Sequence, residues 1–119
     1  MAIINTYRDL LVWQKAMTLV NEIYRISQSF PAIETYGLTS QVRRCAVSIP
    51  SNIAEGYGRR STGDYKRFLQ VATGSLFELQ TQIEIAFNLS YINKDEFDFL
   101  FEKTNELDRM LSSLINKIK

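Results

Sequence analysis

The residues of this chain with types and spacings suited to chemistry are a few carboxylates, two close glycines and a set of arginines and lysines. Glu55 stands near Ser51, Asn52 and Arg59. A general acid or base needs a second carboxylate or an apolar pocket to set its pKa. Glu55 instead precedes Arg59 by four residues, the favourable order for an ion pair along a helix, so it reads as structural. Glu78 and Gln82 read as a polar helix face. The chain has 1 Cys, Cys45, and 0 His. That excludes Ser–His and Cys–His catalysis and an internal disulfide, and it leaves almost no ligands for zinc or copper. The Glu-x-x-His ligand pairs of di-iron bundles are impossible as well. No catalytic, cofactor-binding or metal-ligating set is predicted, and the chain reads as a non-enzyme.

Gly56-Tyr57-Gly58-Arg59-Arg60-Ser61 has two readings. It can cradle an anion at a helix start, or it can be a C-terminal glycine cap, a turn and a serine N-cap. It matches neither a Walker loop nor a dinucleotide fingerprint, and the capping reading is preferred. The basic residues say more. Between Thr39 and Gln70 lie Arg43, Arg44, Arg59, Arg60, Lys66 and Arg67 against Glu55 and Asp64, a local net of +4 in a chain of net charge +1. Arg44 and Arg59 are fifteen residues apart, about 22 Å of helix, so the pairs Arg43/Arg44 and Arg59/Arg60 stand at opposite ends of one helix. Arg59, Arg60, Lys66 and Arg67 gather around one inter-helix turn. Both a solvated face and a phosphate-contacting surface fit these charges.

These residues need helices to position them. With 119 residues, 45% of them hydrophobic, and only 5 Gly and 2 Pro, the chain has the length of one domain, 1–119, and too few breakers for an all-β fold. A first helix is expected from about Leu10 to Ser29, capped by Asp9, with Trp13, Met17 (beside Ala16), Val20, Tyr24 (beside Ile23) and Ser27 as its apolar stripe. Phe30-Pro31 ends it. A second is expected from about Leu38 to Gly58, with Leu38, Val42, Cys45, Ile49 and Ile53 in phase. Pro50 interrupts this pattern by removing one donor and crowding the Ala46 carbonyl, which predicts a kink. Ser48, Ser51 and Asn52 are placed to bond the freed groups. Two short helices are the alternative, but the stripe keeps its phase across the proline.

The third helix starts at a capping-box-like Ser61-Thr62-Gly63-Asp64 and carries a stripe from Tyr65 through Leu76 to Leu89. The fourth starts at Asn93 with Glu96 three residues on, and carries Leu100, Leu107, Met110, Leu111, Leu114 and Ile118. Asp95 and Glu96 near its start, and Lys117 and Lys119 near its end, suit the helix dipole. Short connections predict an all-α, antiparallel up-down-up-down four-helix bundle, with its second helix kinked at a proline. A second, offset stripe on that helix, Val47, Pro50, Ala54 and Tyr57, suggests either self-association or a thicker core contact. Met1 to Arg8 lacks a signal-peptide pattern, no run spans a bilayer, and a cytoplasmic setting without membrane contact is expected.

Several segments resemble one known family. They are Asp9-Leu10-Leu11-Val12-Trp13-Gln14-Lys15-Ala16, then Phe30-Pro31 with Glu34-Thr35-Tyr36-Gly37-Leu38, and above all the run Gln41 to Gly56 containing Ser48-Ile49-Pro50-Ser51-Asn52-Ile53-Ala54-Glu55-Gly56. Gly58-Arg59, Phe68-Leu69 and Gly74-Ser75-Leu76-Phe77-Glu78-Leu79 continue the likeness. The chain resembles the 23S rRNA intervening-sequence protein family of bacterial four-helix-bundle proteins over nearly its whole length. The resemblance implies a left-handed bundle and a ring-like homopentamer. Some members are encoded within insertions in 23S rRNA genes. Accessory proteins of diversity-generating retroelements are similar in fold and are held to bind nucleic acid and a reverse transcriptase. Cys45 stands where the family more often has Ala, a packing change. Two functions follow as expectations. One is an oligomer associated with RNA or other nucleic acid through Arg59, Arg60, Lys66 and Arg67, with Arg43 and Arg44 as further candidates. The alternative is an adaptor bundle binding a protein partner such as a reverse transcriptase.

Overall fold

The computed structural model describes residues 3–118; Lys119, expected to complement the end of the fourth helix, lies outside them. Four α-helices account for most of the chain: α1 (Leu11–Ser27), α2 (Leu38–Tyr57), α3 (Thr62–Asn88) and α4 (Lys94–Lys117). Single 3-10 turns occupy Tyr7–Asp9 and Ala32–Glu34. Each helix packs on two others, while the diagonal pairs α1/α3 and α2/α4 make no close approach. Arg43 early in α2 bonds Ser27 at the end of α1, Tyr57 at the end of α2 meets Tyr65 at the start of α3 while Cys45 farther back reaches Ser75 farther on, and Gln80 of α3 bonds Thr104 of α4. Lys15–Glu106 closes the α1/α4 side. Consecutive helices are therefore antiparallel, and the fold is the expected up-down-up-down four-helix bundle.

Local sequence explains the helix starts. Asn93 accepts from the Glu96 amide while the Glu96 carboxylate accepts from the Asn93 amide, a complete capping box on α4. On α3 only half of the box forms. Ser61 accepts from the Asp64 amide at 3.0 Å, but the Asp64 carboxylate turns to Arg67 instead of back to the Ser61 amide. Asp9 does not cap α1. It accepts from the Asn5 and Thr6 amides and closes a capping box on the preceding 3-10 turn, leaving Leu10 as an N-cap without a side-chain bond. Those two backbone donors hold the Asp9 carboxyl below its ordinary pKa.

Helix α2 runs unbroken through Pro50. Ser51 Oγ donates to the Val47 carbonyl at 2.8 Å and Asn52 Nδ2 to the Ser48 carbonyl at 2.7 Å. These bonds fall on the two carbonyls after that of Ala46, the one the proline deprives of its donor.

One expectation for the core is corrected. The buried face of α1 is Val12, Ala16, Leu19, Ile23, Ile26 and Ser27. Ser27 of the expected stripe lies inside, with Ala16 and Ile23, but Met17 and Tyr24 are exposed and Trp13 and Val20 only half-buried, so the centre of the face lies one residue away. Helix α1 is apolar on two adjacent stripes, and the one with smaller and branched side chains faces inward, where the helices approach. Helices α2 and α3 are the most intimate pair. At Gly56 there is no room for more, since an added Cβ would stand 2.7 Å from Phe68 Cβ and 3.2 Å from the Tyr65 ring. That close approach fixes the start of α3 against the end of α2, and so positions the basic turn between them.

Candidate nucleic-acid interface

Gly58 ends α2 and Ser61 starts α3, so Arg59 and Arg60 form the turn, and Lys66 and Arg67 stand just beyond the first turn of α3. Gly58 has φ −77°, its amide donates to the Ala54 carbonyl, and no described glycine has positive φ. The capping reading of this stretch is correct in substance. At Gly56 the close approach of Phe68 and Tyr65 leaves no room for a side chain.

Within the turn the four cations differ. Arg59 Nη2 lies 2.6 Å from a Glu55 carboxylate oxygen, and its guanidinium carbon lies 4.7 Å from the centroid of the Phe68 ring. Arg67 pairs with Asp64 at 3.5 Å and lies 4.8 Å from the same centroid. Phe68 is half-buried and gathers both guanidiniums at its ring, a cation–π arrangement. Arg60 and Lys66 have no carboxylate within ion-pair distance among the described residues. Two of the four charges are thus locally neutralised and two are available. Next to them the Tyr57 and Tyr65 rings meet edge to face at 6.1 Å. Burial first, and the neighbouring Tyr57 second, raise the Tyr65 pKa, so Tyr65 stays neutral.

Arg43 and Arg44 do not join this group. Arg43 donates to Ser27 Oγ at 2.8 Å and to the Tyr24 carbonyl at 3.4 Å, with its guanidinium carbon 4.8 Å from the Tyr24 centroid. It ties α2 to the end of α1. Arg44 lines an open polar groove between α2 and α3 with Gln41, Cys45, Ser48, Ser75 and Glu78. There the Cys45 thiol donates to the Ser75 carbonyl at 2.9 Å. Burial, reinforced by Glu78, pushes the thiol pKa up to about 12, which makes it inert as a nucleophile. Gln82 is not on a polar face. It is buried, donates to Glu78 at 3.3 Å, and leaves its own carbonyl oxygen without a partner.

The offset stripe of α2 divides as well. Val47, Pro50 and Ala54 line an open groove of ≈ 310 Å³ with Tyr7, Trp13, Met17 and Val20. Pro50 itself is buried, and Tyr57 packs toward α3. Trp13, Met17 and Val20 of the α1 stripe expected in the core therefore form the other wall of this groove. Sequence reasoning found both walls and missed that they meet. The missed signal is the pair of apolar stripes on α1, which matches the pair on α2.

Among the described residues there is no cluster of potential metal ligands and no helix long and apolar enough to cross a membrane. The molecule is a helical bundle with an apolar α1/α2 groove and a basic, aromatic-backed turn. A family model, "23S rRNA-intervening sequence protein", matches residues 8–113. The chain belongs to that family. Among solved structures it is similar to a protein of unknown function from the S23 ribosomal protein family of Bacteroides thetaiotaomicron VPI-5482. That match has a TM-score of 0.82 at 21% identity and covers 88% of this chain and 98% of that one. At this identity the likeness shows the fold alone. No curated protein matches the chain.

Proposed function

We propose that the chain is a non-catalytic, oligomeric RNA-binding protein that uses its α2–α3 turn. The observation that supports this most is the pair of unneutralised cations, Arg60 and Lys66, beside Arg59 and Arg67 at one end of the bundle. Arg60 is exposed and Lys66 half-buried, and cations near the start of α3, where backbone amides add positive potential, suit phosphate oxygens. Two free charges per chain are few for RNA at cellular salt. Copies packed through the α1/α2 groove would repeat them and raise avidity without new contacts. A pentameric ring is the form that the family resemblance favours, and a cytoplasmic setting goes with this reading. The test is an RNA titration at two salt concentrations. Affinity should fall steeply with salt, and Arg60→Ala/Lys66→Ala should flatten that dependence while leaving helicity and assembly unchanged. Mass measurement should give a species larger than the 13.8 kDa chain; a monomer at all micromolar concentrations would remove the multivalent argument.

The groove itself favours a second reading. Met17 and Val47 are 39% and 40% exposed, and an apolar surface of this kind also suits a protein partner such as a reverse transcriptase. If the parent shows no salt-sensitive RNA binding, this adaptor reading leads.

A further inference from the structure

We propose that the basic turn selects single-stranded RNA over duplex, with unpaired bases stacking on the Arg59 and Arg67 guanidiniums, which the Phe68 ring backs, while Arg60 and Lys66 hold the flanking phosphates. This rests on the RNA-binding reading above and specifies its ligand.

Arg59 and Arg67 are already paired, with Glu55 and Asp64, and both guanidiniums lie over the Phe68 ring. Their charges add little to a distant phosphate track, since each is compensated by a carboxylate. What they present outward is the guanidinium itself, a flat and weakly hydrated group that stacks on π-systems. The ion pairs and the aromatic ring hold these groups in place, so less side-chain freedom is lost when a base stacks on them. The Arg59 and Arg67 side chains are 42% and 61% exposed, which leaves room for a base to reach them. Arg60 and Lys66 supply the charges of the same patch that have no carboxylate partner among the described residues.

Neutralised planar groups beside two free cations are the combination by which single strands are held: stacking on open base faces and electrostatic contact to the backbone. An A-form duplex conceals its base faces and would meet only the two free cations. Arg43 and Arg44, at the other end of α2, have no place in this surface, because Arg43 is tied to Ser27 and Tyr24.

The test compares a labelled single-stranded uridine-rich RNA with an RNA duplex of the same length across a salt series. The parent should bind the single strand about tenfold more tightly or better. Arg59→Lys/Arg67→Lys keeps both charges and both possible ion pairs but loses the planar groups. It should lose about tenfold in single-strand affinity, with the salt dependence and the duplex affinity unchanged. Helicity by circular dichroism guards against misfolding, and Arg67→Lys alone, at the more exposed site, serves if the double variant is unstable. Equal affinity of the parent for both RNAs, or Lys variants that bind as the parent does, would overturn the stacking surface while salt-sensitive RNA binding still stands. Absence of salt-sensitive binding to either RNA removes the RNA-binding reading itself, and this proposal with it.

Discussion

At one end of the bundle, the 28–37 connection and the α3–α4 turn are stitched together around Glu34; at the other, the α2–α3 turn points its cations outward. Glu34 accepts from the Leu38 amide at 3.0 Å and from the Tyr91 hydroxyl at 2.8 Å, and the Phe30 and Tyr91 rings lie 5.5 Å apart. Helix α2 begins at Gly37, which offers no side-chain cap, so the carboxylate of Glu34 does that work from outside the helix. Its charge is turned inward. At the basic end the carboxylates of Glu55 and Asp64 restrain only two of four cations. The same inventory of groups makes a clasp in one place and a binding surface in the other. The difference lies in whether each charge finds a partner within its own chain.

The largest expected effect breaks the basic end through its backbone. Gly56→Ala forces a Cβ to 2.7 Å from Phe68 Cβ, and such overpacking costs about 1–3 kcal/mol. That outweighs the ~0.5–1 kcal/mol an alanine gains over glycine in a helix. Denaturant unfolding should show the loss, and RNA affinity should fall with it, because Phe68 must move. Gly74→Ala, where nothing lies within 4 Å of the added Cβ, should stabilise by about 0.5–1 kcal/mol. If both substitutions act alike, the close approach of α2 and α3 is not what positions the turn.

The clasp should be visible in pH dependence. The Leu38 amide first, and the Tyr91 hydroxyl second, lower the Glu34 pKa below its ordinary 4.5. The bond to Glu34 raises that of Tyr91 above 10.0. A depressed carboxyl pKa means stability that is fully present above the unfolded value and lost as pH falls through the folded one. A raised tyrosine pKa means stability present below the unfolded value and lost as pH rises through the folded one. Glu34→Gln should therefore lower Tm at neutral pH, and the gap to the parent should narrow below pH 4.5 and again above pH 10.0. A gap independent of pH would mean that the carboxylate contributes by packing alone. Asp9, also depressed, weakens in acid in both proteins and cancels from the comparison.

The same end carries the one described non-glycine residue with positive φ, Ser90 at 62°. The Tyr91 amide reaches back to the Ala86 carbonyl and the Ser90 amide to that of Phe87, the bond pattern of a Schellman cap on α3. A serine in this left-handed position is strained, and Ser90→Gly should stabilise by about 1 kcal/mol, read as a higher denaturant midpoint at unchanged slope.

Short-range chemistry was readable in the sequence and long-range chemistry was not. Ser61 and Asn93 announced helix starts because a cap is decided within four residues. Glu55 and Arg59 announced their pair for the same reason. The inner stripe of α2 was read correctly, since its offset stripe is shorter. On α1 both adjacent stripes carry large apolar side chains at helical spacing, so periodicity alone does not separate the inner one from the outer. The Glu34–Tyr91 bond joins residues 57 apart, and no local pattern foretells it. The basic turn was located from charge alone, but its division into paired and free cations depends on where Phe68, Glu55 and Asp64 lie in space.

That division suggests the smallest and most selective perturbation. Glu55→Gln removes the carboxylate from Arg59 without removing the arginine. The pair is exposed on both sides, at 42% and 55%, and an exposed ion pair contributes about 0.2–1 kcal/mol, here discounted further for solvent screening. The stability loss should therefore be at the limit of detection. RNA binding should move the other way. With Glu55 neutral, Arg59 becomes a third free cation beside Arg60 and Lys66, so affinity at low salt should rise and its salt dependence should steepen. The clasp at the far end predicts the opposite sign for its own carboxylate, since Glu34→Gln should cost stability and leave RNA binding unchanged. If Glu55→Gln weakens RNA binding instead, the ion pair matters as a brace that orients the guanidinium over Phe68, and the free charge it releases counts for less than the stacking surface it disturbs.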